Sequence, residues 1–242
     1  MFSKRTKVSI DNATTSHLND KRNTSPDSEE QYLDTSFYQK NTGAGAGAGP
    51  WARPGPEASE LWNNIEKYKN EYYSENKKAF FFKKSQKLDC AANISSKFDI
   101  EDLLSQTFAI LPNTNRIYLD YTVFKLYANP ENYTTIVEYV IKLFNICIDK
   151  YGSFECHFNL KSFTITAAER YKSVIELFCK ECLKSETRYG SMMQKMYIYY
   201  SPGMIEKLTS IFSHLIDPLI RDRFVVYNKE ESDDKMIENL SN

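Results

Sequence analysis

Glycine is scarce in this 242-residue chain, and the motifs that depend on clustered glycines are missing. Five of its eight glycines lie between residues 43 and 55, and Gly152, Gly190 and Gly203 stand alone. A phosphate-binding loop needs several glycines close together. The three histidines are far apart, and no serine has the strand-to-helix elbow of a hydrolase. We therefore expect no enzyme activity and no catalytic residues.

Strong net charge and long apolar runs are also missing. The chain has 31 Lys and Arg against 32 Asp and Glu, a formal net charge of -1, which gives no overall attraction to nucleic acid. No run approaches 18 uncharged apolar residues, as a membrane span requires, and no apolar stretch follows Met1 as in a signal peptide. We expect a cytoplasmic protein that binds no nucleic acid.

The cysteines give no sign of a disulfide framework. Their number is odd, five, and most of them lie in apolar runs. Free thiols in a reducing compartment are the simplest interpretation. Cys179 and Cys182 form a Cys-x-x-Cys, but no second pair stands at metal-ligand spacing, and both are predicted to lie in the core. Cys182 and Arg188 have the spacing of cysteine phosphatases without the glycine-containing loop. We expect no metal and no cofactor.

The N-terminal half divides into two regions. Residues 1–56 combine a polar tract with the Gly/Ala/Pro-rich segment that follows it, and they are predicted to form a disordered tail and linker. Residues 57–113 are predicted to form a helical extension, with a helix over 57–79, a loop from 88 and a short helix over 99–110. The segment KKAFFFKK at 77–84 has two interpretations, a membrane-interface anchor or a helix packed on the domain, and we favour the second.

From residue 114 onward, strand and helix patterns alternate. The predicted strands are 115–127, 154–163, 195–201 and 223–227, and the predicted helices are 131–149, 167–186 and 203–219. This order requires crossover connections, so we predict an α/β domain over 114–228 with a mostly parallel sheet of four to five strands in β-α-β-α-β-α-β order. Residues 229–242 are predicted to be a frayed acidic tail.

Two stretches of this domain resemble the CRAL-TRIO family of hydrophobic-ligand carriers. They are FECHFNLKSFTIT and RYGSMMQKMYIYYSPGMIEKLTSIFSHLIDPLIRDRFVVY. Tyr189, Pro202, Asp217 and Pro218 match the family pattern, whereas Asn159, Ser162 and Gly190 replace its Asp, Gly and Pro. The family's N-terminal helical bundle is not recognisable, and its later loop and helices are missing. The resemblance is therefore to a divergent, minimal version.

The resemblance implies a hydrophobic slot between the sheet and a movable gate helix over 203–219. The residues expected to line the slot and gate are Met204, Ile205, Leu208, Ile211, Phe212, Leu215, Phe158 and Tyr199. The implied function is non-catalytic binding or transfer of a phospholipid or similar ligand, with transient contact at a membrane surface. Two alternatives stay open. The helix is an ordinary cover for the sheet, or the domain is a protein–protein interaction module without a ligand cavity.

One predicted strand carries an unusual polar face. Glu155, His157 and Asn159 alternate with Cys156 and Phe158, which places the three polar residues on one side of the sheet. One interpretation is the polar end of the slot, where a head group binds, with His157 as the pH-sensitive member; we favour the other, which follows. The alternative is an edge strand that turns this face to water.

Overall fold

The computed structural model describes residues 56–76, 83–201 and 214–241, without the side chains of 56–59, 83 and 84. The tail predicted to be disordered therefore lies outside the described residues, apart from Pro56. Most of KKAFFFKK and most of the predicted gate helix, residues 203–213, lie outside them as well.

The described residues form a mixed α/β fold. In chain order its elements are α1 Pro56–Glu75, α2 Lys83–Lys97, α3 Ile100–Thr107, β1 Phe108–Ile110, β2 Arg116–Asp120, α4 Tyr121–Tyr127, α5 Tyr133–Tyr151, β3 Phe154–Asn159, α6 Ile165–Arg170, α7 Lys172–Cys182, α8 Arg188–Met192, β4 Met193–Tyr199, α9 Pro218–Arg221, β5 Phe224–Val226 and α10 Ser232–Leu240. Gly152 ends α5 with a φ of 75°, a left-handed conformation that glycine adopts without a steric penalty.

The five strands make one sheet in the order β1-β2-β3-β4-β5. β1 runs antiparallel to β2, and every later neighbour pair is parallel. In register, Ile117 lies opposite Cys156, and Cys156 lies opposite Met196. The predicted mostly parallel sheet is thus confirmed, including the adjacency of the last two strands.

The two faces of the sheet belong to different clusters. Ile117, Cys156 and Met196 point into the main core, which also contains the inner faces of α3, α5 and α7. The alternate residues point the other way, because successive side chains on a strand leave opposite faces. On that second face Tyr199 packs with Leu111 and with Met236 of α10. The sheet is therefore covered differently on its two sides.

The predicted strand over 115–127 is wrong in its second half. The chain leaves the sheet at Asp120, whose carboxylate accepts hydrogen bonds from the Thr122 backbone N at 2.7 Å and from Thr122 Oγ1 at 2.6 Å. Such a cap begins a helix, and Tyr121–Tyr127 is α4. The aromatic residues that favoured a strand, Tyr121, Phe124 and Tyr127, instead form the buried side of this short helix.

Other predicted boundaries shift as well. The predicted loop from residue 88 is the body of α2, and residues after Thr107 form β1 rather than the end of a helix. β3 ends at Asn159, four residues before the predicted end. The predicted helix over 167–186 is two helices, α6 and α7, which meet at Tyr171. β1 also lies N-terminal to residue 114, where the α/β domain was expected to begin.

The C-terminal segment is not a frayed tail. Residues Ser232–Leu240 form α10, with Asp233 and Asp234 in its first turn, where acidic side chains stabilise the positive end of the helix dipole. Met236 and Leu240 are buried on the second face of the sheet, while Ile237 between them is 54% exposed. Two apolar residues four apart on one helix face anchor the segment.

Among the helices that the structure describes, none has the length and the apolar composition of a membrane span.

Candidate functional site

Glu155, His157 and Asn159 lie together on the second face of the sheet, as their alternation predicts. They belong to β3, the central strand of the five-stranded sheet, which has two strands on each side. The alternative of a solvent-facing edge strand is therefore wrong. His157 has no exposed surface and Asn159 is buried, so this polar face is enclosed and its hydrogen bonds have to be made within the protein.

His157 is hydrogen-bonded on one side of its ring. Its Nδ1 lies 2.9 Å from the Tyr199 hydroxyl, and that hydroxyl accepts a hydrogen bond from Asn239 Nδ2 at 3.3 Å. The Glu155 carboxylate near Nε2 favours the tautomer that carries its proton on that nitrogen, and in this tautomer Nδ1 accepts a hydrogen bond from the Tyr199 hydroxyl. Nε2 faces Glu155 Oε2 at 3.7 Å, too far for a hydrogen bond.

Burial and the neighbouring Glu155 carboxylate act on the pKa of His157 in opposite directions. Burial lowers the pKa of His157, and the neighbouring Glu155 carboxylate only partly offsets this. Interaction with His157, joined by Arg116, lowers the pKa of Glu155. The Tyr197 ring stacks on the imidazole with centroids 4.7 Å apart. The structure thus holds a neutral, stacked histidine beside an ionised carboxylate.

The residues predicted to line one slot do not share a face. Phe158 points into the main core, where its ring lies 6.0 Å from Phe178. Tyr199 points to the second face. The strand register explains the difference. Tyr199 pairs with Asn159 and Phe158 pairs with Ile198. Because paired residues share a face and successive residues alternate, Tyr199 and Phe158 point to opposite faces of the sheet. The expectation that both line the same slot is wrong.

Most of the predicted gate residues lie outside the described residues. These are Met204, Ile205, Leu208, Ile211 and Phe212. Leu215 is described, and it is half-buried against the main core. Its neighbour Ile216 is buried there. The predicted helix over 203–219 is wrong in its described part, because residues 214–217 form a turn and Asp217 caps a new helix, α9, at Pro218. The gate itself stays a prediction.

A cleft of about 910 Å³ opens at the carboxyl ends of β2 and β3, away from the predicted site. Its lining residues come from α1, α2, α4, the loop after β3 and the region of α6; they are Lys69, Tyr73, Lys87, Cys90, Ile94, Tyr121, Lys125, Leu126, Ser162, Thr164, Thr166, Ala167, Arg170 and Tyr171. Four of these residues are cationic, and none of the described lining residues is a carboxylate. We call this feature the basic cleft.

Capping interactions fix the two segments that form the mouth of the basic cleft. The Asp120 cap starts α4 directly after β2, so Lys125 stands one turn further along. After β3, Thr164 Oγ1 accepts a hydrogen bond from the Ala167 backbone N at 3.2 Å and starts α6. Lys125 Nζ spans the mouth and donates to Ser162 Oγ at 2.8 Å. The two carboxyl-end loops are thereby joined across the cleft.

Aromatic rings make the floor of the basic cleft. Tyr121 packs edge-on against Phe163 and Tyr171, with centroids 4.9 and 6.1 Å apart. Phe124 packs on Tyr171 at 5.2 Å, and the Tyr171 hydroxyl donates to the Lys125 carbonyl at 3.3 Å. Edge-to-face contacts of this kind are rigid and apolar. The cations of the cleft therefore lie beside an aromatic surface formed by Tyr121 and Tyr171.

The cations of the basic cleft are crowded. Burial lowers the pKa of Lys125, and the charges of Lys69 and Lys87 lower it further, which outweighs the opposing effects of Asp120 and Glu66. Lys69 forms an ion pair with Glu66 outside the cleft. Arg170 Nε is buried and has no hydrogen-bond partner within the described part of the chain. The described lining of the cleft thus has four cationic side chains and no carboxylate, a local excess of positive charge that favours an anion.

Sequence reasoning missed the basic cleft for a physical reason. Its cations come from positions 69, 87, 125 and 170, on four different elements, so no local spacing connects them. The one available signal was Asp120 before Tyr121-Thr122, a residue type that caps helices. Reading a helix there would have placed Lys125 at the carboxyl end of the sheet, where open α/β sheets bind ligands.

The Cys-x-x-Cys residues lie in the main core. Cys179 and Cys182 are both buried, and burial raises the pKa of Cys179 to about 12. Burial raises the pKa of Cys182 as well. Thiols protonated at neutral pH are poor nucleophiles, which agrees with their predicted role as core residues.

Acidification is expected to destabilise the fold in part through His157. Because burial holds its pKa below the usual histidine value of about 6.5, the unfolded chain binds a proton below about pH 6.5 that the folded chain does not, so stability falls as pH falls. Each unit of separation between the two pKa values contributes about 1.4 kcal/mol. The Glu155 pKa is also depressed, and its contribution is lost at still lower pH.

His157→Asn tests this prediction, since an amide oxygen can replace Nδ1 as acceptor for Tyr199. Urea unfolding at a series of pH values should show a smaller loss of stability between about pH 6.5 and 5 in this variant than in the wild type. His214→Asn, at an exposed position, should keep the wild-type slope. Equal slopes in all three proteins would disprove the role assigned to His157.

Comparison with known proteins gives only a distant likeness. Among solved structures, the chain is similar to the crystal structure of Sfh5, at 12% sequence identity and a TM-score of 0.41. The match covers 71% of this chain and 66% of that chain, just under two thirds of its length. No protein-family model and no curated protein matches the sequence. The likeness concerns the fold alone and identifies neither a family nor a ligand.

Proposed function

We propose that this protein binds, without catalysis, an amphiphilic ligand that carries a phosphate group, such as a phospholipid, and that the phosphate occupies the basic cleft. One observation carries the proposal. Four cationic side chains line a cleft of about 910 Å³ in which no described lining residue is a carboxylate. The volume lies within the range of about 300–1,000 Å³ typical of small-molecule sites.

The polar lining suits phosphate in particular. Arg170 offers a guanidinium fork, whose donors match two phosphate oxygens at once. Lys69, Lys87 and Lys125 supply point charges, and the Ser162, Thr164 and Thr166 hydroxyls add neutral donors. Burial, and after it the charges of Lys69 and Lys87, lowers the pKa of Lys125, and a bound phosphate would offset the repulsion among these cations. The protein as a whole has a net charge of -1, so the attraction is local to this cleft.

The remaining lining suits the apolar part of such a ligand. Ile94, Leu126, Ala167 and the rings of Tyr121 and Tyr171 also face the cleft. Each methylene group transferred from water to such a surface contributes about 0.8 kcal/mol. A ligand with both a phosphate and an apolar portion therefore uses more of the cleft than a free anion does.

This assignment moves the head-group site predicted from the sequence. Glu155, beside His157, keeps an ionised carboxylate at that place, which would repel a phosphate. The resemblance of 115–228 to CRAL-TRIO domains supports a hydrophobic ligand. The gate over 203–219, a cytoplasmic location and transient membrane contact remain parts of the proposal.

Flotation with vesicles tests the proposal. Vesicles of phosphatidylcholine with added phosphatidic acid should bind the full chain, and pure phosphatidylcholine vesicles should bind it less, with the difference decreasing at high salt. Glycerol 3-phosphate in excess should compete only partly, because it lacks the apolar part. Full competition would identify a soluble phosphate compound as the ligand. No binding to either vesicle, and no lipid in an organic extract of the purified protein, would reject the proposal and favour the protein-interaction module.

A further inference from the structure

Lys125 differs from an ordinary surface lysine in its surroundings. Its side chain is half-buried, and its Nζ hydrogen-bonds to a neutral hydroxyl, Ser162 Oγ, at 2.8 Å. Its ammonium lies 5.8 Å from the centroid of the Tyr121 ring. The basic cleft places three further cations along the same walls. The hydroxyl and the ring stabilise the ammonium, but burial and the neighbouring cations Lys69 and Lys87 disfavour it.

We propose that Lys125 is a nucleophilic amine that captures aldehyde or ketone ligands bearing a phosphate group, by forming a reversible Schiff base in the basic cleft. The proposal rests in part on the function proposed above, because the phosphate would be held by the other cations of the basic cleft, Lys69, Lys87 and Arg170. It goes beyond that function by adding a covalent bond between the ligand and the protein.

The electrostatic environment favours the required neutral amine. Burial, then the charge of Lys69, lowers the pKa of Lys125, and Lys87 adds to the effect. Asp120 and Glu66 act in the other direction without cancelling it. Desolvation and a neighbouring cation are the two conditions that activate lysines for Schiff-base chemistry.

The bond changes are balanced without a further reactant. The lone pair of unprotonated Lys125 Nζ attacks the carbonyl carbon, and the carbonyl oxygen takes up a proton to give a carbinolamine. The hydroxyl then leaves as water while Nζ loses its remaining proton, so amine and carbonyl give imine and water. Ser162 Oγ, within hydrogen-bond distance of Nζ, is placed to pass these protons. Phosphate bound to Lys87 and Arg170 would orient the carbonyl.

Trapping with borohydride tests the proposal on the full chain. The probes are pyridoxal 5′-phosphate and pyridoxal, which share an aldehyde and differ in the phosphate. After reduction and peptide mass spectrometry, we expect the adduct on Lys125 to exceed that on each other lysine severalfold with both probes. Lys125→Arg keeps the positive charge and should lose this adduct while retaining the unfolding midpoint of the wild type. Ser162→Ala should slow its formation.

The two probes separate the two proposals. If inorganic phosphate competes with pyridoxal 5′-phosphate for binding but the reduced adducts are spread evenly over exposed lysines, the nucleophile assignment is overturned and phosphate binding stands. If pyridoxal labels Lys125 selectively and the phosphate brings no advantage, Lys125 is confirmed as the nucleophile and the phosphate site is rejected.

Discussion

Replacing Arg170 by glutamine is expected to weaken binding of phosphatidic acid vesicles about 10- to 150-fold, because a hydrogen bond to a charged group contributes about 1.5–3 kcal/mol. Arg170 combines the fork geometry that phosphate prefers with a buried Nε that has no partner in the described part of the chain. The substitution removes the charge while keeping most of the volume of the side chain. Flotation or a fluorescence titration at fixed salt measures the change.

The matched control for Arg170 is Lys180→Gln on α7. Its side chain is 77% exposed, lies near Glu181 and is outside the basic cleft, so we expect binding within about twofold of wild type. Both variants should unfold at the wild-type midpoint, which separates loss of binding from loss of folding. If Arg170→Gln and Lys180→Gln bind equally well, the phosphate does not occupy the basic cleft.

Truncating Phe144 to alanine is expected to destabilise the fold by about 3–5 kcal/mol, as deletion of a buried aromatic ring does. Phe144 is 1% exposed, and its ring stacks on Phe154 of β3 with centroids 4.2 Å apart. It also contacts Phe178 of α7 and Tyr189 of α8. The Phe144 side chain of α5 thus packs against the central strand β3 and against two later helices, α7 and α8. Urea unfolding monitored by circular dichroism measures the loss.

Tyr151→Ala provides the control in the same helix. Tyr151 is the last residue of α5 and is 37% exposed, so its truncation should change the free energy of unfolding by no more than about 0.5 kcal/mol. A loss below about 1 kcal/mol for Phe144→Ala would mean that α5 does not cover the sheet as described.

The parts of the fold predicted best are those with a strong period and a clear end. The helix over 131–149 was predicted nearly correctly, since its apolar arc is wide and Gly152 ends it. The parallel pairing of β4 and β5 followed from the alternation of strands and helices. Both depend on local pattern and short links, which the sequence displays directly.

The parts predicted worst depend on competition between equally apolar structures. Tyr121–Tyr127 has the composition of a strand, and only the Asp120 cap decides for a helix. The sequence after residue 228 predicts an unfolded tail, because its charged residues outnumber the two apolar residues, Met236 and Leu240, that anchor it in the structure. In both cases tertiary packing overrides the local composition.

The candidate site was predicted only in part. Alternation along β3 correctly put Glu155, His157 and Asn159 on one face, but it did not indicate that this face is enclosed by Tyr199 and α10. The basic cleft depends on how α1 and α2 lie against α4 and α6, and a sequence of separate lysines carries no signal of that arrangement.

Titration of isotope-labelled protein with glycerol 3-phosphate, followed by amide NMR shifts, tests the central claim most directly, because it locates the phosphate without a membrane. Phosphate bound in the basic cleft should shift the amides of Lys125, Ser162, Thr164 and Arg170 and leave those of Glu155 and Tyr197 unchanged. Shifts centred on Glu155, His157 and Tyr197, or no shifts at all, would contradict the assignment of the basic cleft as the phosphate site.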